Sequence, residues 1–438
     1  MATGSGIDAQ VGYADEIYQN EVQSLAITGI PTGGTMLPTF DGASIGPVNY
    51  NCTFGQMQAA FDASPIGAGQ VVCAGGPWPG TPITVTFSGP NVAKRGQPDI
   101  AIGTNALTGG TTPTMVVTAP TPGSGYGDFV TPNKFTEFVD VGVAANVSFI
   151  VSKARRAGQK LAVRSDRSQA QVIGADGDLS VEGVTKSLGF WLKHMMGAPV
   201  ITTPPGGTNT RDHTFTITDL WNMSFTLQAG IPMAADIPAV QPFTWVGCKI
   251  PTWEIGCDKD GVVDLKIGVD AKDEDTSRSL AVASYPSGLE LLTWVGAYMT
   301  MDGRNADGMK FSLSKGKNLD TDRRFANRNN HKKREPILND ATDLKGALEN
   351  EFHDMWAYYK FIAGTPISMV AVFEGPSVIE AAYKPMLQIT MPTVRFDKAA
   401  AELQGVDVTK QPLPYVVEQP ADGSQPLTIV YRTTDLTS

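Results

Sequence analysis

The chain has 438 residues, 18% of them charged and 42% hydrophobic, with 46 Gly, 30 Pro and a formal net charge of −10. Its length allows about three domains of ~150 residues each, and its apolar content excludes a disordered chain. The Gly, Pro, Val, Thr and Ile content favours a turn-rich β protein over a helical bundle, and the acidic balance excludes general affinity for nucleic acid, which needs Lys and Arg to neutralise phosphates. There is no run of eighteen apolar residues, and no basic segment followed by an apolar one at the N-terminus. The expectation is therefore no membrane insertion, with production in a cytoplasm.

Along the chain, the opening stretch from Gly4 to Glu16 breaks off at a Gly/Pro/Thr-rich segment, residues 29–34, and its pattern resumes near Gly125. Tether-like composition at 29–34 and 119–125 predicts an inserted unit, so the expected domains are 1–28 and 125–438 as one interrupted domain and 29–124 as a small α+β insert. Within the insert, Thr53 and Gln56 fit a capping box opening a short helix that places Met57, Ala60 and Phe61 on one face. Strand-like runs follow at 70–74, 82–88, 99–103 and 114–118. Trp78, Phe87 and Tyr50 are read as core residues of a small domain, with a sugar-binding surface as the alternative.

Beyond the insert, period-two alternation predicts strands at 147–151, 214–218, 224–227 and 262–269, the last entered through a turn at Asp258-Lys259-Asp260-Gly261. An amphipathic helix is expected over 183–196, with Leu188, Trp191, Leu192 and Met195 on one face and Gly197 as its stop. A second short helix is expected over 341–352, ahead of strands at 367–373 and 386–396. The fold class is thus mainly β, largely antiparallel, with a helix packed on a sheet and a small α+β insert.

Signatures of chemistry are sparse. There is no GxxxxGK[ST], GxSxG or HExxH motif, and His194, His213, His331 and His353 lack helical metal-ligand spacing. Asp258, Asp260 and Asp264 lack the further ligands of a calcium loop, so a hairpin turn explains them better. Four cysteines are too few for a disulfide framework and are expected as free, mostly buried thiols. Cys248 and Cys257 fall in two β-like segments around Pro251 that could face one another. No catalytic residue, metal or cofactor is assigned. Sequons at Asn51, Asn146 and Asn222 carry no meaning without a secretory signal.

Two opposed charge clusters remain. Residues 315–334 hold eight Lys or Arg against two acids, and residues 258–275 hold seven acids against three Lys. They read as solvated loops or as complementary patches that meet across subunits and set the register of self-assembly; a nucleic-acid site at the basic run is a weaker third option, since only Phe325 could supply base stacking. On the second reading the self-association residues are Asp270, Asp273, Glu274, Asp275, Arg323, Arg324, Arg328, Lys332, Lys333 and Arg334.

Several segments, in this order, resemble the major tail tube protein of long-tailed, siphovirus-type bacteriophages: Gly4-Ser5-Gly6-Ile7-Asp8-Ala9-Gln10 with Gly12 and Glu16, then Phe135-Thr136-Glu137-Phe138, then 177–189, then 387–396 and 426–431. The resemblance implies a barrel-forming β-sandwich closed by six subunits around a channel, with a helix packed outside and rings stacked into a tube. It also implies tape-measure, tail-tip and tail-terminator proteins as partners, transient passage of double-stranded DNA without specific binding, and a place in the virion tail. Readings from other classes are a tail-associated carbohydrate-binding adhesin or a depolymerase.

Overall fold

The computed structural model describes residues 8–154, 165–233, 239–325, 332–402 and 409–438. They are mostly strand, with three α-helices, α1 at Phe54–Ala63, α2 at Gly189–Met196 and α3 at Trp356–Ala363. The chain divides into two compact units, one of residues 1–15 with 129–438 and one of residues 16–128.

The smaller unit begins upstream of the expected tether, since Val22–Thr28 pairs with Ile83–Phe87 and Thr114–Thr121. Val71–Gly75 completes this four-stranded sheet, and Gly33–Phe40 pairs with Ala101–Thr108 in a second one. The capping box forms as expected: the Gln56 amide nitrogen donates to Thr53 Oγ1 at 3.3 Å, and the Thr53 nitrogen donates to Gln56 Oε1 at 3.0 Å. Met57 and Phe61 of α1 enter a core with Leu25, Val85 and Phe87. Trp78 is also buried there, and its indole donates to the Leu25 carbonyl at 2.8 Å. Trp78 and Phe87 are core residues, which removes them from any sugar-binding surface.

The larger unit is organised by one 20-residue strand, Ala239–Asp258. Its first half pairs with Phe225–Met233 and Asp273–Asp275, its second half with Asp264–Ala271 and Gly308–Lys315. The register shifts between Lys249 and Thr252, around Pro251, because proline has no N–H for the ladder. Cys248 and Cys257 therefore lie on one continuous strand and not on two facing segments, and all four cysteines are free and buried.

From this strand the sheet extends antiparallel in several directions. Gln10–Asp15 pairs with Phe225–Met233 on one edge and Lys134–Thr136 on the other. Gly308–Lys315 leads through Leu344–Glu351 and Lys410–Val417 to Met386–Phe396, where Leu387, Ile389 and Met391 are buried in alternation. Asp264–Ala271 leads to Ser168–Glu182 and then Ala144–Val151.

The helix expected over 183–196 starts later. Residues 183–185 hydrogen-bond to distant segments of the same chain, Gly183 N donating to Val263 O at 2.6 Å and Thr185 N to Glu290 O at 3.0 Å. α2 then buries Phe190, Trp191, Leu192, Met195 and Met196, and ends at Gly197 with φ 132, where a Cβ would lie 1.9 Å from Thr218 Oγ1. The second expected helix, 341–352, is wrong: Leu344–Glu351 is a strand paired on both edges. Within that strand Gly346 permits close packing, since a Cβ there would lie 2.2 Å from Ser312 O and 2.4 Å from the Tyr415 ring. The helix in this region is α3, closed by Gly364 at φ 61.

Candidate assembly surface

The alternation at 147–151 forms a strand as expected, but its own subunit does not bury it. All eight residues of Ala144–Val151 are exposed, with Phe149 at 64% and Ile150 at 59%. The strand pairs with the first half of Ser168–Glu182, Val147 opposite Val172, Phe149 opposite Ala170 and Val151 opposite Ser168. Directly opposed residues share a face, so Val147, Phe149, Val151, Ala170 and Val172 make an apolar stripe. Ser148, Gln169 and Gln171 occupy the other face together with Ile150. This two-stranded arm is amphipathic yet uncovered, and a lone pair of strands is marginal in water without a partner layer.

The arm has a defined root. In the second half of the same strand, Leu179 and Val181 are buried and the pairing partner is Asp264–Ala271. The register shifts between Asn146 and Val147, opposite Val172 and Gly174. Gly174, at φ 126, permits a close approach: a Cβ there would lie 2.5 Å from Ala271 O and 2.8 Å from Lys333 Cε.

Lys333 belongs to the basic cluster, and its position shows where the charge clusters go. Lys333 Nζ meets Asp270 Oδ1 at 2.6 Å with both side chains buried, and Lys332 pairs with Asp273. These contacts join the acidic and basic segments inside one chain. Burial raises the Asp270 carboxyl above its ordinary range, and the Lys333 ammonium opposes that shift. Two residues on, Glu335 Oε1 meets Lys249 Nζ at 2.6 Å in a second buried pair, and Lys249 also donates to Leu220 O at 2.5 Å. Segment 332–335 is thereby fastened to the sheet at the arm's root by two buried ion pairs.

The other residues assigned to self-association also have partners within the chain. Glu274 Oε2 accepts from Trp245 Nε1 at 2.8 Å, and Asp275 accepts from Ser277 and, at 2.8 Å, from Arg278 Nε. The Ser277 hydrogen bonds hold the Asp275 carboxyl below its ordinary range. Arg323 donates to Glu335 O at 2.6 Å, Arg324 pairs with Asp322 at 2.6 Å, and Arg334 stacks over Phe325 with 5.6 Å to the ring centroid. Arg328 lies outside the described residues, as do His331 and residues 4–7 of the opening motif.

Sequence reasoning missed how α2 is held. Asp15 Oδ1 accepts from Lys193 Nζ at 2.7 Å and contacts His194 Nε2 at 2.8 Å, tying the last turn of the helix to the N-terminal strand. These two contacts outweigh desolvation and keep the Asp15 carboxyl ionised well below its ordinary range, while burial lowers the His194 pKa. Tyr13, Phe190, Trp191 and Phe225 pack around this point in tilted and edge-to-face contacts. No helix among the described residues is long and apolar enough to cross a membrane.

Compared with known proteins, the chain matches the family model described as phage tail tube protein over residues 100–415, well over half its length. No curated protein matches it. The chain belongs to the phage tail tube protein family, a family of non-enzymatic structural components of the virion that assemble into a tube.

Proposed function

Taking that membership as the premise, we propose that six copies of this chain close into a ring, that rings stack into a siphovirus-type tail tube, and that the tube conducts genome DNA during ejection. One observation carries the reading: the arm of Ala144–Val151 and the first half of Ser168–Glu182 presents an apolar stripe that nothing among the described residues covers. A neighbouring copy supplies the missing layer, and pairing across subunits removes exposed strand edges. The net charge of −10 per chain favours passage of DNA without adhesion. Tape-measure, tail-tip and tail-terminator proteins are the remaining partners, and assembly takes place in the host cytoplasm.

The smaller unit is assigned the role of an inserted module on this tube. Tyr13 pairs with Lys134 and accepts a hydrogen bond from Asn133 N, so the chain leaves and rejoins the large sheet at neighbouring positions. A short linker can replace residues 16–128.

The test is electron microscopy of the purified full chain, with and without phage tail tips as seed. Stacked six-fold rings around an open channel are the expected result. Globular particles under both conditions, or rings of another symmetry, overturn it.

A further inference from the structure

A cavity of about 210 Å³ lies in the larger unit, away from the arm, and the assembly reading does not use it. Its apolar walls include Met195, Leu220 and Leu338; Trp253, Lys315 and Asn318 also line it. These last three are each more than nine-tenths buried. Among the described residues, Trp253 Nε1 and Asn318 Oδ1 have no hydrogen-bond partner, and no carboxylate pairs with Lys315. Buried polar groups are rarely left so, because an unmet donor or acceptor has lost its water and gained nothing in return, and a charge loses more. Here two such atoms and a buried amine without a carboxylate line one space. Asp219, at the rim, is exposed and accepts instead from Trp221 N at 3.1 Å.

The donor set points to one chemistry. Lys315 and Trp253 only donate. Asn318 Nδ2 donates to Thr342 Oγ1 at 3.0 Å, and because a hydroxyl both donates and accepts, a half-turn of the amide keeps that bond and turns Nδ2 to the unpartnered side. The cavity then offers an ammonium, an indole N–H and an amide N–H against apolar walls. Its volume equals about seven waters of liquid, enough for a carboxylate with a short apolar body. We infer that this cavity is a binding site for a small organic carboxylate, with Lys315 as its counter-ion and Trp253 and Asn318 as donors to the carboxylate oxygens.

Desolvation lowers the Lys315 amine to about 8, so it remains a cation at neutral pH and loses its charge above that value. The experiment titrates the unassembled full chain with benzoate at pH 7 and follows the Trp253 indole N–H resonance, assigned from Trp253→Phe, with benzamide as the uncharged control. A saturable shift with benzoate is expected. It should weaken at least about tenfold in Lys315→Met, which loses a charged hydrogen bond, and likewise at pH 9.5. Leu338→Trp, which fills the cavity and keeps Lys315 in place, should abolish it if Lys315→Met fails to fold. No shift, an equal shift with benzamide, or an unchanged shift in Lys315→Met overturns the inference. So does a shift seen only in Asp219→Asn, which would mean that the chain's own carboxylate fills the site.

Discussion

The two halves of the strand Ser168–Glu182 obey one pattern and meet opposite fates. Both alternate and both pair antiparallel, yet Leu179 and Val181 lie in the core of their own subunit while Val172, with Val147 and Phe149 across from it, faces solvent. Alternation states that one face of a strand is to be covered; it does not state by which chain. In a protein that assembles into a tube, an amphipathic strand without a cover is what supports the proposal of a layer supplied by a neighbour. The charge clusters teach the converse. Their complementarity suggested contacts across subunits, but Lys333–Asp270 and Lys332–Asp273 form within one chain, at the junction of the two halves.

The largest effect expected at that junction is from Asp270→Ala. It leaves Lys333 buried and unpaired, and should cost about 3–5 kcal/mol in denaturant unfolding. A loss below 1 kcal/mol would show that the root does not depend on the pair. Truncating the inner half comes next: Leu179→Ala should cost about 2–5 kcal/mol by opening a cavity. Phe149→Ser in the outer half should change the stability of the unassembled chain by no more than about 0.5 kcal/mol, yet prevent tube formation in electron micrographs. Equal destabilisation by these two substitutions would erase the distinction between the halves. Gly174→Ala, at φ 126 and against Ala271 O, should cost roughly 1–3 kcal/mol in the same unfolding assay. In the smaller unit, Thr53→Ala removes one half of the capping box and should cost about 1 kcal/mol, a scale against which the junction effects can be read.

Much of the fold was legible because the local signals were strong. Met386–Phe396 alternates from Leu387 to Met391 and emerged with the expected bounds, and Thr53 with Gln56 marked the start of α1. Residues 341–352 were misread because Leu, Lys, Ala and Glu are good helix formers; pairing with Gly308–Lys315 and Lys410–Val417 outweighs a propensity worth tenths of a kcal/mol per residue. α3 did carry a signal, in Asp354, whose Oδ1 accepts from Trp356 N at 2.9 Å, and in Gly364 at its C-terminal end. The Lys315 cavity had none. It joins residues from 195 to 342, and no spacing along the chain reveals that a lysine at the end of a strand will be buried without an acid.

By itself the sequence determined the β class, the alternating strands, the capped first helix and membership of a tube-forming family, because these rest on short-range periodicity and on the order of motifs. Only the tertiary structure decided which alternating strands stay uncovered, which charges pair within the chain and where an amine is buried with no carboxylate beside it among the described residues. Those outcomes depend on residues tens to hundreds of positions apart meeting at one point, and burial and electrostatics are set there, not along the chain.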